Sequence, residues 1–288
     1  MIRQSASPQH HRLYDVSVVV PTVRLDDAFN QALASLLRQT LSTTQIVVVL
    51  DGVRLVEGAI PEDDRVSLVP LPRHVGTPAA LNAGVAVASA PLIARLDADD
   101  LAACDRLARQ VAVFRARPEL VLLGSAADVI DARGDHIGVY EVPIDDVAAV
   151  LPRRNPFVHS SVVFRRSAFD MVGGYDLRCE RMQDYELWLR LARLGAVANL
   201  PERLVSYRVH DGQSSRRTPA FGPAADAVRS SRRALARDIG RNPLLQLVDD
   251  FLWTTAQLTR ALRMRRPRYL AGDGICVPAV QSREGTSP

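Results

Sequence analysis

The sequence predicts an α/β fold in which a Rossmann-like, mainly parallel sheet is flanked by helices and followed by a C-terminal helical extension. The first observation is that short apolar runs, typical of buried strands, alternate with helical patterns over about the first hundred residues. Parallel strands need helical crossovers, so this alternation favours a parallel sheet with helices on both faces. The second observation is a change of pattern after residue 215, where Arg-rich helices are predicted at 224–238 and 244–264.

The polar residues at the ends of the first strands predict a binding crevice. Strands are predicted at 16–20, 45–50, 66–69 and 92–96. Thr22 and Asp51 follow the first and second of them, and Asp97 follows the fourth. Ligands of such sheets bind outside the carboxyl ends of the strands, so these three side chains are expected to line one crevice.

Two helices are predicted between these strands. The first is opened by Asp26 and Asp27, and apolar residues recur on one of its faces. The second follows Gly76, with Thr77 as its N-cap and Pro78 at its first helical position.

The second half is predicted to be mixed. Further strands are expected at 120–125, 137–142, 161–165 and 204–209, with helices at 105–115 and 183–194. The paired glycines Gly173 and Gly174 predict a turn.

Composition excludes several classes of protein. All 36 Lys-or-Arg positions of the 288 residues are arginines, they are interspersed with acidic residues through most of the chain, and the net charge is only +4. No basic stripe for a nucleic acid is visible. The three scattered cysteines indicate a reducing compartment, and residues 1–13 read as a polar tail rather than a signal peptide. We expect a cytoplasmic protein, with peripheral contact at the inner face of the membrane as an option.

Three carboxylates follow the fourth strand. Asp97, Asp99 and Asp100 stand in Leu96-Asp-Ala-Asp-Asp100 and would repel one another unless a positive group lay nearby. Mg²⁺ or Mn²⁺ would offset this charge and leave coordination positions for phosphate. The alternative is an acidic first turn of the following helix, where aspartate favours the helix dipole.

Several motifs in one order resemble a family 2 glycosyltransferase, an inverting and nucleotide-sugar-dependent enzyme of the GT-A fold. The resemblance covers about residues 14 to 215. The motifs that carry it are Val18-Val-Val-Pro-Thr22, Ala34-Ser-Leu-Leu-Arg-Gln-Thr40, Val47-Val-Val-Leu-Asp-Gly52, Ala80-Leu-Asn-Ala-Gly84, Ala94-Arg-Leu-Asp-Ala-Asp-Asp100, Gly173-Gly-Tyr-Asp176, Gln183-Asp-Tyr-Glu-Leu-Trp-Leu-Arg190 and Tyr207-Arg-Val-His210.

The resemblance implies a set of donor-binding residues. They are Pro21, Thr22, Arg24, Asp51, Arg73, Gly76, Asn82, Asp97, Ala98 and Asp99. Asp51 would accept a hydrogen bond from an imide N–H of the base, unless it is only a turn residue. Asp97 would hold the ribose or the donor sugar. Arg73 has the alternative of a solvated loop cation, and Pro21-Thr-Val-Arg24 departs from the family's usual Pro-x-Tyr-Asn, which leaves the nucleobase open.

The resemblance also implies a metal site. Asp99 and His210 would ligate Mn²⁺ or Mg²⁺ on the diphosphate. Asp100 would touch the sugar or cap the next helix.

Asp184 would be the catalytic base that takes the proton of the acceptor hydroxyl, and it would also suit the first turn of its helix. His159, Gly173, Gly174 and Trp188 are assigned to the acceptor side. For His159 the alternative is a packing role, and for Trp188 a place in the core.

These implications set the predicted organisation. Residues 14–100 would bind the donor, preferably a UDP-sugar, and 101–215 a glycan, lipid-linked or other hydroxyl acceptor. Residues 216–270 form the extension and 271–288 a disordered tail. The segment 244–268 would either rest on an anionic membrane or pack on its own domain. The competing functions are a nucleotide-sugar binder without turnover and an Asp-x-Asp phosphatase.

Overall fold

The computed structural model describes residues 13–210 and 220–263. The predicted polar tail up to residue 12 and the predicted disordered tail at 271–288 lie outside the described residues. The strands are β1 (Val16–Thr22), β2 (Thr44–Asp51), β3 (Val66–Leu71), β4 (Leu92–Arg95), β5 (Leu101–Ala102), β6 (Leu120–Ile130), β7 (His136–Tyr140), β8 (Val163–Arg165) and β9 (Ala196–Arg208). The helices are α1 (Asp27–Leu37), α2 (Thr77–Val87), α3 (Arg106–Ala116), α4 (Val147–Val150), α5 (Arg166–Met171), α6 (Gln183–Leu191), α7 (Pro223–Asp238) and α8 (Pro243–Arg263), with a 3-10 turn at His159–Ser161.

These strands form one sheet in the order β3-β2-β1-β4-β8-β6-β9-β5, and β7 pairs with residues 127–130 of β6, beyond the part of β6 that pairs with β8. The first four strands of that order pair in parallel. In the second half, β8 runs antiparallel to β4 and β6, whereas β6 and β9 are parallel. The predicted α/β class, parallel in its first half and mixed in its second, is confirmed.

The central strands are apolar because both of their faces are covered. Every residue of β2 is buried, and so is β1 apart from Pro21. One face packs against α1 through Phe29 and Leu36. The other packs against α2 and α6 in a second cluster. Both faces of the central strands are therefore closed to a ligand, which could bind only at the edge where the strands end; Thr22 and Asp51 are themselves buried at that edge.

Three local predictions differ from the structure. The residue that caps α2 is Gly76 rather than Thr77, which already lies inside the helix. The helix after the aspartates starts only at Arg106, so Asp100 does not cap it. The two-residue strand β5 comes between them and pairs with β9, a long-range contact that no local pattern announces.

The C-terminal extension packs on the rest of the chain through α7. Ala225, Val228 and Leu235 are buried in the same cluster as the apolar face of α6. Glu186 of α6 is also buried, pairs with Arg190 and accepts a hydrogen bond of 2.9 Å from Ser231 Oγ of α7. Across the described part of the chain, every helix is too short or too polar to span a lipid bilayer.

Candidate active site

The aspartate turn begins at a buried cation. Arg95, the last residue of β4, is 2% exposed and pairs with Asp97, whose side chain remains 35% exposed. Ser160 Oγ lies 2.8 Å from Asp97 Oδ2 and accepts a hydrogen bond of 3.1 Å from the Asp97 N–H. Burial opposes ionisation of Asp97, but the charges of Arg95 and His159 and the Ser160 hydrogen bond leave its pKa below the ordinary value. Asp97 is thus held as a carboxylate with one side open to a ligand.

Asp100 holds the aspartate turn in place through buried contacts. It is buried, contacts Ser160 Oγ, and accepts a hydrogen bond of 2.7 Å from the Arg208 N–H at the end of β9. Arg208 in turn donates through Nε to the Asp99 carbonyl at 2.7 Å. Burial and the neighbouring charges of Asp97 and Asp99 raise the pKa of Asp100 well above its ordinary value. These bonds tie the turn to the end of β9, two residues before His210.

Asp99 and His210, the two predicted metal ligands, contact each other directly. His210 Nε2 lies 2.7 Å from Asp99 Oδ2, and both side chains remain about a quarter exposed, at 21% and 24%. Burial, followed by the Asp97 charge, raises the pKa of Asp99 above its ordinary value. A carboxylate oxygen and an imidazole nitrogen suit Mn²⁺ and, through the carboxylate, Mg²⁺. No cluster of three or more His, Cys, Asp or Glu side chains that could hold an ion occurs among residues 13–210 and 220–263. The pair would therefore need oxygen ligands from a substrate.

Asp51 binds the loop before α2. Its buried carboxylate accepts hydrogen bonds from the backbone N–H groups of Val75 at 2.7 Å and Gly76 at 3.2 Å, and it contacts His74 Nδ1 at 2.8 Å. Both oxygens are thus engaged by the loop before α2, and the hydrogen bond of Asp51 to a nucleobase stays a prediction. The loop lies so close to Gly52 that a Cβ atom added there would come within 2.5 Å of the backbone nitrogen of His74. Asp51 therefore fixes the loop that carries Arg73, which is exposed.

The remaining donor-side residues surround the end of β1. Pro21 is half-buried, and Thr22 Oγ1 accepts a hydrogen bond of 3.2 Å from the Arg24 N–H. Arg24 is exposed and pairs with Asp26 at 2.6 Å. Ala98 is half-buried between the two aspartates of the turn.

Asn82 binds the backbone of Tyr175. Its side chain donates to the Tyr175 carbonyl and accepts from the Tyr175 N–H, both at 2.9 Å. Gly173 and Gly174 both have positive φ angles, and a Cβ on Gly174 would lie 2.8 Å from Asn82 Oδ1. Asn82 thus holds the Gly173-Gly174 turn against α2, and its contact with the donor stays a prediction.

Asp184 is oriented by a neighbouring amide. Asp184 is the second residue of α6, and Met182, the residue just before the helix, has a left-handed backbone conformation. Asp184 Oδ2 accepts a hydrogen bond of 2.8 Å from Asn155 Nδ2. Asn155 Oδ1 is itself fixed by the Phe157 N–H at 3.1 Å. The carboxylate is half-buried and hence partly open to solvent.

His159 is packed among aromatic rings and interacts electrostatically with both Asp97 and Asp184. His159 is half-buried, with Nε2 3.4 Å from the Tyr175 hydroxyl. Burial, then the Arg95 charge, lowers its pKa, although both Asp97 and Asp184 act in the opposite direction. Trp188 packs edge-on behind His159 at 6.0 Å between ring centroids and is fully buried. The prediction that Trp188 lines an acceptor pocket is therefore corrected: it supports His159 from the core.

Five residues of the site received no role in the sequence analysis: Arg95, Asn155, Ser160, Tyr175 and Arg208. Arg95, Tyr175 and Arg208 stand inside motifs that carry the family resemblance, and Arg95 is also a charged residue in the apolar run that becomes β4. Asn155 and Ser160 lie outside those motifs.

Comparison with known proteins identifies the family of the chain. The family model described as "Glycosyl transferase family 2" matches residues 17–171. The chain belongs to glycosyl transferase family 2. This glycosyltransferase is 31% identical over 212 residues to the amylovoran biosynthesis glycosyltransferase AmsE of Erwinia amylovora, which covers 71% of the chain and 79% of the relative. It is 27% identical over 219 residues to the O-antigen biosynthesis glycosyltransferase WbnJ of Escherichia coli, covering 72% and 84%.

Solved structures confirm the GT-A fold of this glycosyltransferase. S. aureus TarS 1-349 in complex with UDP-GlcNAc superposes with a TM-score of 0.59 at 15% identity, covering 85% of the chain and 72% of TarS 1-349. The same protein without that ligand gives a TM-score of 0.55 at 14% identity, covering 87% and 71%. Family membership identifies an enzyme that transfers sugars, and it replaces the phosphatase alternative.

Proposed function

We propose that this glycosyltransferase transfers a sugar from a nucleotide-sugar donor to a hydroxyl of a glycan or lipid-linked acceptor, with inversion at the anomeric carbon. A UDP-sugar is the favoured donor, because the structural neighbour TarS is described in complex with UDP-GlcNAc. Assembly of a surface polysaccharide is the favoured context, because relatives are named for amylovoran and O-antigen biosynthesis.

One observation carries the proposal: a single short segment, residues 155–161, contacts both the aspartate turn at 97–100 and Asp184. Asn155 binds Asp184, whereas Ser160 binds Asp97 and Asp100. The segment is anchored from α3, where Gln110 Nε2 donates to the Ser161 carbonyl at 2.8 Å. This segment would therefore form one wall of a common site, along which a donor at Asp97 and an acceptor at Asp184 would lie next to each other.

Asp184 is proposed as the general base. The acceptor hydroxyl attacks the anomeric carbon and forms the new C–O bond, while the bond from that carbon to the diphosphate oxygen breaks. The bonding pair leaves with the nucleoside diphosphate, and the hydroxyl proton passes to the Asp184 carboxylate. The hydrogen bond from Asn155 leaves the other carboxylate oxygen free to receive that proton.

The Asp99–His210 pair is proposed to hold the divalent cation of the donor. Bound there, Mn²⁺ or Mg²⁺ would neutralise charge that develops on the departing diphosphate. The residues themselves fit this role, because their ligand atoms converge within 2.7 Å and both remain partly exposed. Asp97, held ionised by Arg95, is proposed to accept hydrogen bonds from the ribose or donor-sugar hydroxyls.

The loop between β3 and α2 is proposed to complete the nucleotide site. Because Asp51 fixes the loop through its backbone, Arg73 and the main chain near Gly76 are presented at the carboxyl edge of the sheet. Thr22 and Arg24 form the other side of that edge. Asp51 thus contributes indirectly, by shaping the loop.

A thermal-shift panel tests the proposal. The full chain is heated with nucleoside diphosphates and nucleotide sugars, in Mn²⁺, in Mg²⁺ and in chelator. A ligand that binds only the folded protein raises the melting temperature with the logarithm of its saturation. We expect a metal-dependent shift with uridine nucleotides. A full panel without any shift would contradict the donor class.

A further inference from the structure

Helix α8 is packed with its polar side inward. Gln246, Asp250 and Gln257 are buried, and the only large apolar side chain buried among the described side chains of this helix is Trp253. Asp250 pairs with Arg232 and Arg233 of α7, at 3.2 Å and 2.6 Å. A helix of a water-soluble domain normally does the opposite and buries its apolar stripe.

The outward side of α8 is apolar. Six exposed residues make up this outer face: Leu244, Leu245, Leu247, Val248, Phe251 and Leu252. Leu244 is 72% exposed and Phe251 68% exposed. At 3.6 residues per turn these positions span an arc of about 160°, wider than the narrow seam of a two-stranded coiled coil. A contiguous apolar surface of this kind marks a site of interaction.

The charges around the outer face are arranged asymmetrically. Both acidic residues of α8 point away from it, since Asp250 binds α7 and Asp249 pairs with Arg241. The sequence from 259 to 270 then contains no acidic residue. It contains five arginines, namely Arg260, Arg263, Arg265, Arg266 and Arg268. An apolar helix face, followed in sequence by a segment with five arginines and no acidic residue, is complementary to a surface whose interior is apolar and whose outer layer is anionic.

We propose that the outer face of α8 docks on the surface of an anionic phospholipid bilayer. The helix lies in the interface, with Val248, Phe251 and Leu252 among the acyl chains. Arg265, Arg266 and Arg268 lie outside the described residues and enter the argument only as positive charge that the sequence places after the helix, where anionic headgroups would attract it. This charge favours a bilayer over a second copy of the chain, which would bring the same positive charge against it. The residues of the outer face take no part in the sugar transfer proposed above.

Vesicle flotation with the full chain tests the proposal. The probes are vesicles of phosphatidylcholine alone and of phosphatidylcholine mixed with phosphatidylglycerol. We expect flotation with the anionic vesicles and at least about tenfold weaker binding to the neutral ones, with binding reduced by salt. The Val248→Ser/Phe251→Ser variant should weaken binding to anionic vesicles by about tenfold or more, because two apolar side chains no longer enter the bilayer. Arg265→Ser/Arg266→Ser should weaken the same binding and reduce its salt dependence.

A matched variant controls for the loss of exposed apolar side chains in general. Val56→Ser/Ile144→Ser removes two such residues far along the chain from α8 and should bind vesicles like the wild type. Equal weakening in this control, or no binding of the wild type to anionic vesicles, would overturn the proposal. So would a dimer in light scattering that the Val248→Ser/Phe251→Ser change converts to monomer, because a second copy would then cover α8.

Discussion

Replacing Asn155 by alanine isolates the orientation of the proposed base. The change removes one hydrogen bond of 2.8 Å to the Asp184 carboxylate and leaves Asp184 in the chain. A hydrogen bond to a charged group contributes about 1.5–3 kcal/mol, which corresponds to about 10- to 150-fold in a rate if all of it is expressed in the transition state. We therefore expect kcat to fall within that range. The KM for the donor should change little, because Asn155 contacts neither the aspartate turn nor the loop before α2.

The assay follows release of nucleoside diphosphate at saturating donor, and melting temperatures are measured in parallel. Asn30→Ala is the matched control, because Asn30 is exposed on α1 and lies outside the segment that positions Asp184. It should leave both the melting temperature and kcat close to the wild-type values. If Asn155→Ala raised the donor KM at constant kcat, or if both variants lost kcat equally, the orienting role of Asn155 would be refuted.

Three further predictions concern the base, the metal pair and the thiols. Asp184→Asn keeps the shape of the side chain but removes its proton acceptor, so turnover should fall by about 10²- to 10⁴-fold in the same assay while calorimetric donor affinity is retained; wild-type turnover would disprove the base assignment. Asp99→Ala should weaken nucleoside diphosphate binding in Mn²⁺ but not in chelator, and an equal loss in both would speak against ligation. Burial raises the pKa of the Cys179 thiol to about 12, so at pH 8 iodoacetamide should label exposed Cys104 and spare Cys179 in the native protein, as peptide mass spectrometry would report; rapid labelling of Cys179 would contradict its burial.

The regular part of the fold could be predicted because its signals are local. The apolar runs that become β1 and β2 are bounded by Pro21 and by Asp51-Gly52, and their ends mark the edge of the sheet where the sequence predicts a crevice. Asp99 and His210 are more than a hundred residues apart, yet the structure brings them within 2.7 Å because β9 returns beside β5. The resemblance of ordered motifs, rather than any local pattern, predicted that meeting.

The parts that could not be predicted depend on which polar groups find each other across the chain. A pattern of residues gives the position of Asp51 at a strand end, but not that the N–H groups of Val75 and Gly76 occupy its oxygens. Likewise, Asn82 bonds to Tyr175, 93 positions further along. Trp188 shows the same limit for apolar residues, since its helical spacing fits both a pocket wall and the core.

The C-terminal extension contacts the segment that holds the proposed base in place. Arg232 of α7 and Gln246 of α8 both donate to the Pro152 carbonyl, at 2.7 Å and 3.4 Å, three residues before Asn155. The family match ends at residue 171, ahead of Asp184 and His210. The end of the match therefore does not mark the end of the catalytic part, and a chimera that exchanged α7 and α8 for those of a relative would replace the two side chains that brace the Pro152 carbonyl near Asn155. Evolution of a new docking surface on α8 would have to preserve that brace, so changes of location and changes of rate are linked in this chain.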